Sequence, residues 1–274
     1  MQSAESSRAR AAAIGIVAES GLPVEEAIVL HNSNKVTLRL LPCDVVARVI
    51  PDGEGDAQFE VDLARRLAAA DCPVATLDSR VEPRVHHAEG FMIILWTSYQ
   101  TVSAEPIPPA DYAAALHRLH VGMRTVDLPT PHFLDRVDEA QQLVVDRDRT
   151  PDLPDAEREF LGNILQRSRT AIGVRGGEQL LHGEPHPGNL IAAATGPIFI
   201  DLETCCRGPV EFDLAHAPDE VADHYPGVDH ELLTQCRILM LAMVIMWRWD
   251  RDDQLPDGRR LAAEWLRELQ SMLT

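Results

Sequence analysis

Hydrophobic side chains recur at every second position in the segment Lys35-Val-Thr-Leu-Arg-Leu40, the pattern of a strand with one buried face. An earlier apolar run at 27–30 is separated from it by the turn formers Asn32, Ser33 and Asn34, so the two read as neighbouring strands. A third strand is predicted over 44–50 (Asp-Val-Val-Ala-Arg-Val-Ile), closed by Pro51, Gly53 and Gly55. The period then changes. Phe59, Leu63 and Leu67 fall on one stripe of a helix over 58–70, which Cys72-Pro73 ends. Two more strands are expected, at 81–86 and 91–96.

Beyond Trp96 helical periodicity takes over. A proline-rich stretch at 106–109 leads into a helix at 110–121, and further helices are expected at 133–147, 155–173, 229–249 and 257–273. The segment 180–214 reads instead as short strands and tight turns. A strand-rich first third followed by a helix-rich remainder is an α+β, two-lobe pattern. The most apolar stretch, 238–247, lies between Arg237 and Arg248 and is half the length that spans a bilayer, so it reads as a buried helix. Near the start, Arg8 and Arg10 precede the apolar run 11–18 in the manner of a secretory signal. That run is short, contains Gly15 and ends at Glu19 without a small-x-small site, which favours an amphipathic first helix.

Composition narrows the function classes. With 25 Lys+Arg against 43 Asp+Glu, the 274-residue chain carries a formal charge of −18, which argues against unspecific binding to nucleic acid or anionic membranes. Hydrophobic residues at 45% and charged residues at 25% match globular usage and exclude wholesale disorder. Lys35 is the only lysine, so a site that elsewhere uses lysine must here use arginine or recruit this residue. The five cysteines (Cys43, Cys72, Cys205, Cys206, Cys236) show no CxxC spacing and suggest neither a disulfide framework nor a zinc site, from which a reducing, cytoplasmic location is expected.

The densest chemistry lies at His182-Gly-Glu184-Pro-His186-Pro-Gly-Asn189. Two prolines and two glycines forbid regular helix and force a rigid loop, entered from Leu180-Leu181 and left through Leu190-Ile191. A short apolar strand, Pro197-Ile-Phe-Ile200, follows and ends in Asp201-Leu-Glu203, where a carboxylate needs a partner such as a divalent cation. His-x-acid-x4-Asn followed by Ile-Asp is the spacing of a kinase catalytic loop, in which the acid orients the attacking hydroxyl and the later Asn and Asp hold Mg²⁺. A zinc site of His182, Glu184 and His186 is the competing chemistry, but on an extended segment these side chains span ~13 Å at ~3.3 Å per residue. Adjacent Cys205 and Cys206 read as packing; His117 and His120, one turn apart, offer a metal pair, but helix packing and surface exposure are the stronger expectation.

Taken together, these segments resemble the aminoglycoside phosphotransferase (phosphotransferase enzyme) family, whose fold is similar to that of protein kinases. The family's HGDxHPGN appears as HGEPHPGN at 182–189, its metal-binding strand end is similar to 200–203, and its GPxExDLA is present at 208–215. Leu116-His-Arg-Leu-His120 looks like the family's LxxLH helix, and 91–99 like the strand and hinge between lobes. The resemblance implies a small antiparallel-sheet N-lobe with one helix (1–96), a hinge (97–100) and a larger, mostly helical C-lobe (101–274). It implies Mg²⁺ as cofactor, held by Asn189 and Asp201 with Glu203 near the metal, and ATP or GTP as co-substrate. Glu184 takes the base position and His182 organises the catalytic loop. Arg48 stands where the phosphate-gripping lysine is usual, with Glu60 as its partner on the following helix, and Ser33 and Trp96 are assigned to the nucleotide. Asp213 takes a structural role beneath the loop.

The main departure from the family pattern is Glu184 in place of Asp. One methylene moves the carboxylate by ~1–1.5 Å, and a misplacement of ~1 Å can cost ~100-fold in rate. Two readings follow: a small-molecule kinase whose loop accommodates Glu, or a pseudokinase that binds nucleotide without turnover. The acceptor is expected to be a small-molecule hydroxyl. The acids Glu211, Asp213, Asp219, Glu220, Asp223, Asp229 and Glu231, with Asp250, Asp252 and Asp253 beside Trp247 and Trp249, either face a cationic acceptor such as an aminoglycoside or form a solvated acidic surface. No nucleic acid or membrane partner is expected.

Overall fold

The structure is a computed structural model that describes residues 3–102, 105–173 and 177–273. It sorts into two compact units. The first comprises Met1–Asp111, Val121–Leu128 and Asn189–Glu203, and the second Tyr112–His120, Pro129–Gly188 and Thr204–Thr274.

The first unit is built on a five-stranded antiparallel sheet. Its strands are β1 (Val24–Asn32), β2 (Val36–Pro42), β3 (Val45–Pro51), β4 (His86–Ala88) and β5 (Phe91–Thr97), in the order β1-β2-β3-β5-β4. Helix α1 (Ser3–Glu19) lays Ala9, Ala12, Ala13 and Val17 on one sheet face, where Leu38, Leu40, Val45, Ala47 and Val49 are buried beneath it. The small side chains of α1 allow that close approach. Because successive side chains on a strand point to opposite faces, the alternation that turns Val45, Ala47 and Val49 toward α1 turns Arg48 away from it. Helix α2 (Ala57–Ala69), capped by the Asp56 carboxylate accepting the Phe59 N–H at 2.9 Å, buries Val61, Leu63, Ala64, Leu67 and also Glu60.

The strand expected at 81–86 is not there. Only β4 is regular, and it begins at His86. Asp78 folds the preceding segment into a turn by accepting the Arg80 N–H at 2.9 Å and pairing with its guanidinium at 2.6 Å, and Pro83 cannot donate to a ladder. Val81 and Val85 are nonetheless buried, so the apolar signal marked core rather than strand. Strands β7 (Leu190–Ala193) and β8 (Gly196–Phe199) form a hairpin that joins the first unit through paired bonds, Ala75 N–H to Phe199 O and Phe199 N–H to Pro73 O, both 2.8 Å.

The second unit holds the centre of α3 (Pro109–Met123) and the helices α4 (Phe133–Val145), α5 (Asp155–Gly173), α6 (Val210–Leu214), α7 (His230–Trp249) and α8 (Gly258–Ser271), with a two-stranded ribbon of β6 (Gln179–Leu181) and β9 (Cys206–Gly208). α7 is long and apolar enough by composition to cross a membrane, but Leu232, Leu233, Cys236, Leu239, Met243 and Met246 are among its buried residues, and it packs against α5 and α8. The N-terminus of α4 is fixed by a capping box: the His132 ring accepts the Leu134 N–H, and Asp135 accepts the His132 N–H. Phe133 then packs on Phe212 with ring centroids 5.1 Å apart and passes over Gly208, where a side chain would meet it at 2.9 Å.

Candidate active site

In the second unit the loop after β6 is held from below by one carboxylate. Asp213, fully buried on α6, accepts the backbone N–H groups of His182 and Gly183, each at 2.8 Å, and lies 2.8 Å from His120 Nε2. An ionised carboxylate can only accept, so His120 carries its proton on Nε2. His120 Nδ1 lies 2.7 Å from the Tyr225 hydroxyl. Burial alone would raise the Asp213 pKa, but the hydrogen bond from His120, the electrostatic pull of the His120 and His182 rings, and the His182 N–H together bring it below the ordinary carboxylate value. His120, expected to pack its helix or lie at the surface, is instead fully buried and part of the loop's foundation.

Gly183 adopts φ 89°, and a Cβ there would overlap the Thr204 carbonyl, so only glycine fits. Gly183→Ala is expected to destabilise the protein by at least ~2 kcal/mol through strain and overlap, read as a shifted denaturant midpoint. An unshifted midpoint would show that the loop has another accessible shape. His182 is fully buried and its Nδ1 accepts the Glu184 N–H at 3.4 Å, the His186 N–H donates to Glu184 O at 2.8 Å, and His186 Nδ1 accepts the Gly188 N–H at 3.0 Å. The Tyr112 hydroxyl donates to Pro185 O. The histidines are thus spent on shaping the loop. Glu184 pairs instead with Arg136, so the three side chains of the zinc alternative are directed to three different partners.

Arg136 carries no signal in the sequence. It donates through Nη2 to Glu184 Oε1 and through Nη1 to Gly183 O at 3.2 Å, and its guanidinium lies 4.9 Å from the Trp247 ring centroid. Nothing local marks an arginine 48 residues away from its partner. His216 lies beside this group, edge-on to Phe212 at 5.2 Å, with burial pushing its imidazole down to about 4; its Nε2 has no hydrogen-bond partner among the described residues.

In the first unit a charged cluster gathers around Arg48. Its Nη1 lies 3.1 Å from Glu60 Oε1 and 2.7 Å from Asp201 Oδ1, and its Nη2 lies 2.8 Å from Glu203 Oε2, while Lys35 pairs with the same Glu203. Three carboxylates face two cations. Burial lowers the Lys35 pKa, with nearby Arg48 adding to the effect. Glu60, almost fully buried, is raised by burial against the pull of Arg48. Burial would lower the Arg48 pKa, but the attraction of Glu60 and Asp201 outweighs it and the value is raised.

The Ile200 N–H donates to Asn189 O at 3.0 Å, continuing the β7–β8 ladder, so Asn189 and Asp201 sit at the same end of one hairpin. Asp201 holds φ 65°, a left-handed conformation that Asp tolerates. Asn189, Asp201 and Glu203 offer only hard oxygen donors, and the Asp201 side chain keeps 32% of its surface exposed, a set that fits Mg²⁺ and no soft metal. Among the described residues no three His, Cys, Asp or Glu side chains form a self-sufficient metal site. Ser33 lies in the β1–β2 turn with its hydroxyl 3.0 Å from Asn34 Oδ1, and Trp96 is buried on β5 opposite Val46.

The acids read as a possible acceptor surface divide: Glu211 and Asp213 are buried, whereas Asp219, Glu220, Asp223, Asp229, Glu231 and Asp252 are exposed. Glu211 is buried and accepts the Asp229 N–H at 3.1 Å; Asp229 caps α7; Asp219 pairs with Arg237 at 2.9 Å; Asp250 pairs with Arg149, and Asp253 with Arg248. Caps and ion pairs therefore account for part of their concentration in sequence, and the exposed remainder forms an acidic surface.

Solved structures of similar fold are kinases of small molecules. The amicoumacin kinase hAmiN, in complex with AMP-PNP, Ca²⁺ and Ami, superposes with a TM-score of 0.72 at 12% identity, covering 91% of this chain and 89% of that one. A choline/ethanolamine kinase family protein from Mesorhizobium loti gives 0.72 at 18% identity over 98% and 94%. Spectinomycin phosphotransferase APH(9)-Ia, in complex with ADP and spectinomycin, gives 0.64 at 12% identity over 94% of each chain. No curated protein sequence matches the chain. The architecture is therefore that of the kinase-like phosphotransferases. The sequence matches the phosphotransferase enzyme family over residues 26–235, and the chain belongs to that family.

Proposed function

We propose that the protein transfers the γ-phosphoryl group of ATP or GTP to a hydroxyl of a small molecule with Mg²⁺ as cofactor. The observation that supports this reading is the β7–β8 hairpin, in which the Ile200 N–H bonds to Asn189 O and brings Asn189 and Asp201 to one end of the same hairpin. Asn189 and Asp201 would hold the ion, which when bound neutralises phosphate charge. Arg48, tethered to Glu60 as kinase lysines are to their glutamate, supplies a guanidinium fork suited to phosphate oxygens. Glu184 orients the acceptor hydroxyl and takes its proton as the new O–P bond forms and the bond from the γ-phosphorus to the bridging oxygen breaks, releasing the nucleoside diphosphate.

The acceptor class is an alcohol, and relatives of similar fold supply the panel: they include amicoumacin, choline and aminopropanol kinases and spectinomycin phosphotransferase. A nucleoside-diphosphate release assay across those four acceptors, aminoglycosides, amino sugars and homoserine, with ATP and with GTP, tests the reading. Turnover with at least one acceptor is expected. The second reading, a pseudokinase, rests on Glu184 standing where the family pattern has Asp. Silence across the panel with nucleotide binding intact would establish it.

A further inference from the structure

We propose that Arg136 is a positioning residue that holds the longer Glu184 side chain where the reaction needs a carboxylate. The inference rests on the phosphotransferase reading above. Glutamate adds one methylene and one rotatable bond to the aspartate of the family pattern, so an unrestrained carboxylate at 184 would sample several positions, and catalysis by positioning tolerates little of that. Arg136 removes this freedom from three sides. Its Nη2 donates to Glu184 Oε1, its Nη1 donates at 3.2 Å to the carbonyl of Gly183, the residue preceding Glu184, and its guanidinium is stacked 4.9 Å from the Trp247 centroid. One planar fork therefore grips both the side chain and the backbone of the same turn.

The support for Arg136 is itself rigid. It stands in the first turn of α4, whose start is set by the His132–Asp135 capping box and by Phe133 against Phe212. The ion pair is largely shielded, with side-chain exposures of 16% for Arg136 and 24% for Glu184, so it is stronger than a surface pair. An aspartate at 184 would stop ~1.5 Å short of Arg136 from the same backbone. The glutamate and the arginine are then one device, and the loop has adapted to Glu.

The test is a double-mutant cycle on kcat with Arg136→Gln, Glu184→Asp and the double variant, alongside Arg136→Lys. Arg136→Gln is expected to lower kcat ~100-fold with the nucleotide KM held within ~3-fold, and Arg136→Lys to recover part of the loss. Glu184→Asp is expected to lower kcat as well, and on that background Arg136→Gln is expected to cost less than ~3-fold. Equal losses in both backgrounds, a loss confined to KM or thermal stability, or a Glu184→Asp variant as fast as the parent would each overturn the positioning role while leaving the phosphotransferase reading intact. A parent protein that binds nucleotide but turns over none of the acceptors overturns the phosphotransferase reading, and the positioning role with it.

Discussion

Asp213→Ala is expected to abolish turnover and to lower folding stability by about 3–5 kcal/mol, the cost of removing one partner from a buried charged network. The carboxylate is fully buried and serves three donors: the N–H groups of His182 and Gly183 and the Nε2–H of His120. Alanine leaves all three buried and unsatisfied. The Asp213→Asn variant would still accept from some of them but would aim an amide N–H at another donor, so an intermediate loss is expected. Urea unfolding followed by circular dichroism measures both, and a midpoint unmoved by Asp213→Ala would refute the anchoring role. The same group sets an acid limit. Its folded-state pKa is lowered, so its stabilisation is present above the ordinary carboxylate value of ~3.9 and is lost as pH falls through the folded value. The parent protein should therefore lose stability below about pH 4 more steeply than Asp213→Asn does.

Asp201→Asn is expected to reduce turnover by at least ~1,000-fold, the scale of several kcal/mol of metal-assisted charge stabilisation, while leaving the fold intact. Asparagine is the informative replacement because it tolerates the left-handed φ of 65° that alanine would strain. Arg48 keeps Glu60 at 3.1 Å and Glu203 at 2.8 Å, so the cluster stays paired without Asp201. The measurement is a Mg²⁺ titration of turnover and of nucleotide affinity. If the Mg²⁺ dependence of the variant matches that of the parent, Asp201 is not a metal ligand.

What could be read from the chain alone was local. β2, β3 and α2 announced themselves through period and turn residues, and the segment 182–189 through its prolines and glycines, because each is specified within about a dozen residues. The pairing of Arg48 with Glu60, 12 residues apart, was legible only through the family resemblance. Partners set by tertiary packing were not. His120 reaches Asp213 across 93 residues, and Arg136 reaches Glu184 across 48, neither with any periodic signal. The β7–β8 hairpin follows the loop in sequence yet packs with the sheet unit through Phe199, so no single cut in the chain separates the two units. Acidic residues at 211–231 drew attention as a surface, whereas burial shows Glu211 and Asp213 spent on internal bonds. Charge counted along a sequence does not distinguish a solvated carboxylate from one that caps a helix.

Lys35 carries the chain's only ε-amine, and its side chain is 13% exposed against Glu203 in the charged cluster. On most proteins acylation, carbamylation and reductive methylation spread over many surface lysines and are nearly innocuous. Here every such reagent has a single lysine target, set beside Arg48 and the carboxylates of Glu203 and Asp201. Burial also lowers the pKa of that amine, which enlarges its reactive unprotonated fraction. Routine amine labelling of this protein therefore reaches the charged cluster around Arg48 and Glu203 through its one lysine.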